Sequence, residues 1–208
     1  MASSATTPTT FKKKEKLTSR DLISLGVFSV LFIVVSMLIV GITSLSLFPY
    51  LASCGLAAIP AGIIWVYVHV RIPRFGTSLV MATVFALFVF LAGSGWPMTL
   101  GLVVGGLLSE AARKVFGYGR FAGIAVGYGL YMASWSVGEF TPMITMMDYY
   151  RELQASNNVD PAFTQALFDT LTPEALILFA VIAFVGAIIG AFLGRAVFKK
   201  HFQRAGIA

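Results

Sequence analysis

One apolar stretch gathers most of the side chains in this sequence that could do chemistry. In GYGLYMASWSVGEFTPM, residues 127–143, Tyr128, Tyr131, Trp135 and Glu139 recur at three- and four-residue steps, with Pro142 and Met143 continuing the run. That spacing lines side chains along one face of an α-helix. Polar-tipped rings and a single carboxylate suit binding rather than bond-breaking: aromatic walls give planar contact, and the acid selects a donor or a cation. Trp96 reaches the same level from a separate connection, as do Phe48 and Tyr50.

Other chemistries find little support. There is no G-x-x-x-x-G-K-[ST] motif, so no P-loop ATPase is encoded. The glycine-rich GYGRFAGIAVG, residues 117–127, has no strand before it and opens an apolar span, which argues against a nucleotide fingerprint. His69 and His201 lie far apart, at a helix end and in a basic tail, where an interfacial or solvated role is expected, so no metal or cofactor site is read. No nucleophile has a partner base at depth, and an enzyme is not expected. Glu110 precedes Arg113 and Lys114 by three and four residues, which predicts pairing across one helix turn.

The elements that must position these residues follow from composition. Of 208 residues, 58% are hydrophobic and only 12% charged, about half the charge of an ordinary soluble domain. Mean hydropathy is +0.86. The apolar residues fall in runs of about twenty, the length a helix needs to cross ~30 Å of hydrocarbon. The net charge of +6 sits in clusters at the ends of these runs, as topology signals do, and does not point to nucleic acid. The one cysteine, Cys54, lies in an apolar run and reads as a small packing residue.

The pattern predicts an all-α, polytopic bundle of six transmembrane helices. The spans fall at about 18–45, 50–70, 77–93, 97–116, 121–147 and 174–198. Thr18 and Asp21 form a capping box at the first start, LFPY reads as a turn before the second span, and Thr172 and Pro173 open the sixth. Residues 1–17 read as a disordered basic cytoplasmic tail, 18–200 as a single membrane domain, and 201–208 as a basic cytoplasmic tail. With six spans, Arg151 alone among 15 Lys and Arg falls on the side away from the termini, leaving 15 − 1 = 14 on the other. That bias sets both termini in the cytoplasm. The last external connection, 148–173, is expected to be partly helical. Asp160-Pro161 starts a short helix whose apolar face is Phe163, Leu167, Phe168 and Leu171, suited to a lid over an external pocket or to lying on the membrane surface. Gly101/Gly105/Ser109, Gly123/Gly127 and Gly186/Gly190/Gly194 are small-residue ladders that read as helix–helix packing faces.

Counting from Arg120 at 1.5 Å per residue, Trp135 lies roughly 22 Å and Glu139 roughly 28 Å along the fifth span, near the outer boundary, with Tyr128 near the midplane. Two readings follow. The rings belong to an interfacial aromatic belt, with Glu139 in headgroup water or paired with Arg151; or the face turns inward and lines a pocket open to the outside. The depth of Tyr128 and Tyr131 favours the second.

Six spans, cytoplasmic termini, about 200 residues, the opening phrase K-L-T-S-R-D-L-I and a structured last external loop together resemble the S components of energy-coupling factor (ECF) transporters, most of all the group labelled Trep_Strep or MptD. The resemblance covers roughly residues 16–200. It implies a substrate-binding membrane subunit for a vitamin-like or other scarce small molecule, working with a transmembrane T component and two ATPase subunits. It places the substrate site in the external loops and the outer halves of the later helices, where Trp96, Trp135 and Glu139 fall; the helical stripe adds Tyr128, Tyr131 and Met143 as further candidate site residues. Family docking surfaces on the first helix carry an A-x-x-x-A face, for which Gly26 and Ser29 stand here, with Val30 where the second small residue is expected. The rival readings are a self-sufficient secondary transporter and a non-transporting structural or signalling membrane protein.

Overall fold

The computed structural model describes residues 16–204, which fold as nine helices with no strand among them. The tails before residue 16 and after residue 204 lie outside the described residues, as does the His201 side chain. In chain order the helices are α1 (Ser19–Thr43), α2 (Leu47–Leu51), α3 (Ser53–Arg71), α4 (Thr77–Leu91), α5 (Trp96–Phe116), α6 (Phe121–Thr145), α7 (Met147–Ser156), α8 (Pro161–Thr170) and α9 (Pro173–Arg204). Three of them, over Ser19–Thr43, Ser53–Arg71 and Pro173–Lys199, are long and apolar enough to cross a membrane by length and composition; α4 is a shorter apolar helix.

Local signals account for most of the boundaries. Thr18 accepts from the Asp21 amide while Asp21 accepts from the Thr18 amide at 2.8 Å, so the capping box forms. Asp160 caps α8 through the Ala162 amide at 2.8 Å, and Thr172 caps α9 through the Ala175 amide at 3.2 Å. Three details differ from the expectations or extend them. LFPY is a short helix rather than a turn, because Pro49 falls in its first turn, where a missing amide costs nothing. The external connection holds two helices, α7 as well as α8. Helix α9 also runs on to Arg204, past the expected end of the sixth span.

Small residues set the helix seams. A Cβ on Gly55 would fall 2.8 Å from the Ile182 carbonyl oxygen, and one on Gly194 would fall 2.9 Å from the Gly62 carbonyl oxygen, so α3 and α9 meet backbone to backbone. On the other side, a Cβ on Gly101 would lie 2.7 Å from Gly138 Cα, and Gly127 packs on Ser109, joining α5 to α6. Such close approach replaces the hydrophobic driving force that lipid cannot supply. The ladders are therefore packing faces, as their spacing predicts.

One end of the bundle gathers the cations. Asp21 at the start of α1 pairs with Arg74 in the α3–α4 connection; Arg113 of α5 donates to the Arg74 carbonyl at 3.5 Å and lies over Tyr118; Arg195 of α9 lies over Phe121 of α6. The opposite end is capped by α7 and α8. The apolar face of α8 is spent on the bundle: Leu167, Phe168 and Leu171 are buried with Leu51, Phe140, Met143 and Tyr150. The acids of the cap point the other way: Asp148 and Glu152 of α7, Asp160 before α8 and Asp169 within it are all exposed.

Candidate functional site

Beneath the α7–α8 cap, a cavity of about 230 Å³ opens between α1, α2, α6, α7 and the α4–α5 turn. Its wall combines Met37, Val40 and Met98 with Tyr50, Tyr149 and Tyr150, and its polar edge holds Ser94, Gln154 and Asn157. Glu139 is the one charged residue among its lining. The carboxylate is 8% exposed and is held by two neutral donors: the Tyr50 hydroxyl gives a hydrogen bond to Oε1 at 2.9 Å, and the Cys54 thiol gives one to Oε2 at 3.4 Å. Thiols are weak donors, so the second contact leaves much of that oxygen's capacity unused.

The floor is aromatic. Trp135 is fully buried, with Phe85 edge-on at 4.9 Å between ring centres. Its indole Nε1 is turned toward Glu139 but short of hydrogen-bond geometry, and the hydroxyls of Tyr131 and Ser136 have no partner. Below it the Trp65 ring stacks on Tyr131 at 5.0 Å, Tyr128 at 4.9 Å and His69 at 4.2 Å. Tyr128 donates to the Ala58 carbonyl at 2.9 Å.

The lid is fixed to the α4–α5 turn. Gly93 and Gly95 both have positive φ, at 85° and 81°, a region that disfavours any side chain. Asn157 Nδ2 donates to the Gly93 carbonyl at 3.0 Å, and a Cβ on Gly95 would fall 2.6 Å from the Tyr149 hydroxyl. In α7, Gln154 donates to the Tyr150 hydroxyl. Burial, with the Glu139 carboxylate near, pushes the Tyr150 hydroxyl above its ordinary range, so it remains a neutral phenol.

A second polar centre lies at the cationic end. Arg113 is fully buried and pairs with Glu110 at 3.1 Å; Glu110 also accepts from the Ser78 amide at 2.7 Å. His69 Nδ1 meets the Trp65 carbonyl at 2.8 Å, so this nitrogen carries the proton and donates, while Nε2 faces the Ser78 hydroxyl at 3.0 Å. His69 is thus buried, contrary to the interfacial or solvated role expected for it, because α3, α4 and α5 converge on it. Glu110 pairs with Arg113 as its spacing predicts, but inside the bundle and not on a wet face.

The sequence profile described as "Hypothetical bacterial integral membrane protein (Trep_Strep)" matches residues 19–204. The chain belongs to this family. No curated protein matches it. Among solved structures, one titled "Crystal structure of an S-component of ECF transporter" is similar over 92% of this chain and 89% of that chain, with a TM-score of 0.57 and 22% identity. This Trep_Strep protein therefore shares the S-component fold.

Within that fold the residues singled out from sequence separate into groups. Tyr128, Tyr131, Trp135, Glu139 and Met143 all face inward and are buried, so the α6 stripe is no interfacial belt. Of these, only Glu139 lines the cavity; Trp135 lies directly below it, Met143 packs under α8, and the tyrosines form the deeper core. Trp96 is not brought to them. It is half-exposed on a separate apolar groove between α5 and α6, of about 470 Å³, which has Leu100, Val104, Leu130 and Val137 along it. Nor does Arg151 reach Glu139: it pairs with Asp148 at 3.7 Å and lies over Phe168. On α1, Gly26 has open space around it, whereas Ser29 is buried and turned into the bundle, so the two do not share an outward face. Tyr50 and Cys54, which complete the Glu139 site, stand 89 and 85 residues from it, and no local pattern announces them. The Tyr149-Tyr150 pair with Gln154 one turn on could have been read as the inner face of an external helix.

Proposed function

We propose that this chain is the substrate-capture subunit of an ECF-type importer, binding a vitamin-like or other scarce small molecule on the outer side of the cell membrane. A T component and two ATPase subunits would then supply the energy for delivery. The reading rests above all on the buried Glu139 cavity under a two-helix cap, carried by a chain of the Trep_Strep family with the S-component fold. Helices α1, α3, α4, α5, α6 and α9 serve as the spans in this reading. The end rich in Arg and Lys faces the cytoplasm and the cap faces outward, in keeping with the positive-inside rule.

The division of labour suits the interior. Glu139 and the Glu110–Arg113 pair are the charged groups buried in the bundle among the described residues, and they lie at opposite ends of it. A relay of ionisable groups across the membrane, the usual equipment of an ion-coupled transporter, is not formed by two such separated sites. Purified chain reconstituted alone in liposomes is expected to bind its ligand without accumulating it, and accumulation is expected only with a T component and ATPases added. Gradient-driven uptake by the chain alone would replace this proposal with secondary transport.

A further inference from the structure

Resting on that reading, we infer that the Glu139 cavity takes a compact organic cation: a small molecule that presents one protonated nitrogen to the carboxylate and an apolar or planar remainder to the tyrosines and methionines.

Charge comes first. An ionised carboxylate this buried is costly unless a cation or several strong donors compensate it. Here the compensating groups are all neutral, a phenol, a thiol and the nearby Trp135 indole, and no Lys or Arg lines the cavity. A protonated amine brings a charge-assisted hydrogen bond about twice as strong as a neutral one. An anionic ligand would meet Glu139 with no cation to offset it.

Backbone geometry adds a second acceptor. Pro142 sits inside α6 and has no amide hydrogen to give to the Gly138 carbonyl four residues back, and both Gly138 and Pro142 line the cavity. The freed carbonyl belongs to the residue next to Glu139, and Gly138 and Pro142 border both this cavity and the groove between α5 and α6. Asn157 spends its amide on Gly93, which leaves its side-chain oxygen as a further acceptor at the rim. These acceptors suit a ligand that carries N–H groups.

Size and shape narrow the class. About 230 Å³ is the share of liquid volume held by roughly eight water molecules, below the range of drug-sized pockets. It suits a single ring bearing an amine or amidine, and not a nucleotide or a tetrapyrrole. Tyr50, Tyr149 and Tyr150 offer ring faces to the cationic end or edges to a planar one.

The test uses the full-length chain in detergent with three probes of one shape: benzylamine, benzyl alcohol and benzoate. Benzylamine is expected to raise the melting temperature in a dose-dependent way, with the alcohol weaker and benzoate without effect. Glu139→Gln should lower the apparent affinity for benzylamine at least about tenfold, whereas Glu139→Asp, which keeps the charge, should lose less, and the ligand-free melting temperatures of both variants control for a folding defect. Equal or greater stabilisation by benzoate, benzylamine binding that survives Glu139→Gln, or no stabilisation by any probe would overturn the assignment. Native mass spectrometry of the purified chain separates the two levels. A retained molecule without a basic nitrogen defeats the cation class while leaving the capture subunit standing; no retained molecule together with three inactive probes defeats both.

Discussion

The Tyr50 hydroxyl and the Glu139 carboxylate meet at 2.9 Å across 89 residues of chain, tying the short helix α2 to the outer part of α6. This contact closes the cavity on one side and supplies the stronger of the two donors to a buried acid. Tyr50→Phe keeps the ring and removes the donor, which should cost about 1–3 kcal/mol because Oε1 is left unpaired. In a chain of this size that is a fall of several degrees in melting temperature, at ~2–4 °C per kcal/mol. Thermal denaturation of the ligand-free protein in detergent checks it, and an unchanged midpoint would show that Glu139 does not depend on Tyr50.

Trp135 invites a milder substitution than alanine. It is fully buried against Phe85, so truncation to Ala should cost about 3–5 kcal/mol and report packing. Trp135→Phe keeps a ring in the core but removes the indole N–H together with part of the ring, so it should cost less stability than alanine. Loss of the N–H should weaken binding of the co-purified molecule about tenfold or more. Unchanged affinity by calorimetry would make Trp135 purely a floor.

The buried pair at the cationic end should behave differently from a surface ion pair. Arg113→Met leaves Glu110 charged and buried, a loss of about 3–5 kcal/mol. The double change Arg113→Met with Glu110→Gln removes the orphan and should recover a good part of that loss. Urea or thermal denaturation of the three variants measures the coupling, and purely additive costs would argue that the pair is not energetically linked.

Close backbone contact between α3 and α9 makes a sharp contrast with an open position. A Cβ on Gly190 would run into the Ala58 carbonyl oxygen, whereas a Cβ on Gly26 meets nothing. Gly190→Ala should lower the yield of folded protein and its melting temperature. Gly26→Ala should be neutral or slightly stabilising, since Ala is favoured over Gly in a helix by about 1 kcal/mol. Size-exclusion profiles and melting curves of the pair decide it.

The lid can be loosened without touching Glu139. Gly95→Ala forces a side chain at positive φ and toward the Tyr149 hydroxyl, which should lift α7 from the α4–α5 turn. The expected result is faster release of bound ligand, read by stopped-flow or filter dilution, with a smaller effect on association. An unaltered release rate would mean that the cap does not gate the cavity.

The long helices were legible because charges and glycines punctuate the apolar runs clearly. The inward turn of the α6 stripe was legible too, from the depth of Tyr128 and Tyr131. What escaped has a common cause in long-range contact. Nothing near Cys54 marks it as a donor to an acid 85 residues away, and nothing near His69 shows that Ser78 and Arg113 will close over it. Helix α7 was hidden because MDYYRELQAS is polar on average, and only its Tyr150 is buried. Trp96 was grouped with Glu139 by depth alone. Depth gives the level of a residue along the bundle, while its bearing around the axis is set by packing.

The three tryptophans divide so cleanly that the molecule carries its own optical gauge. Trp96 is half-exposed on the groove between α5 and α6, Trp65 is stacked among Tyr128, Tyr131 and His69, and Trp135 packs on Phe85 beside Glu139. With Trp96 and Trp65 replaced by Phe, the emission of the remaining indole becomes a direct readout of cavity occupancy. Ligand arrival could then be timed in unlabelled protein, in detergent or in a bilayer.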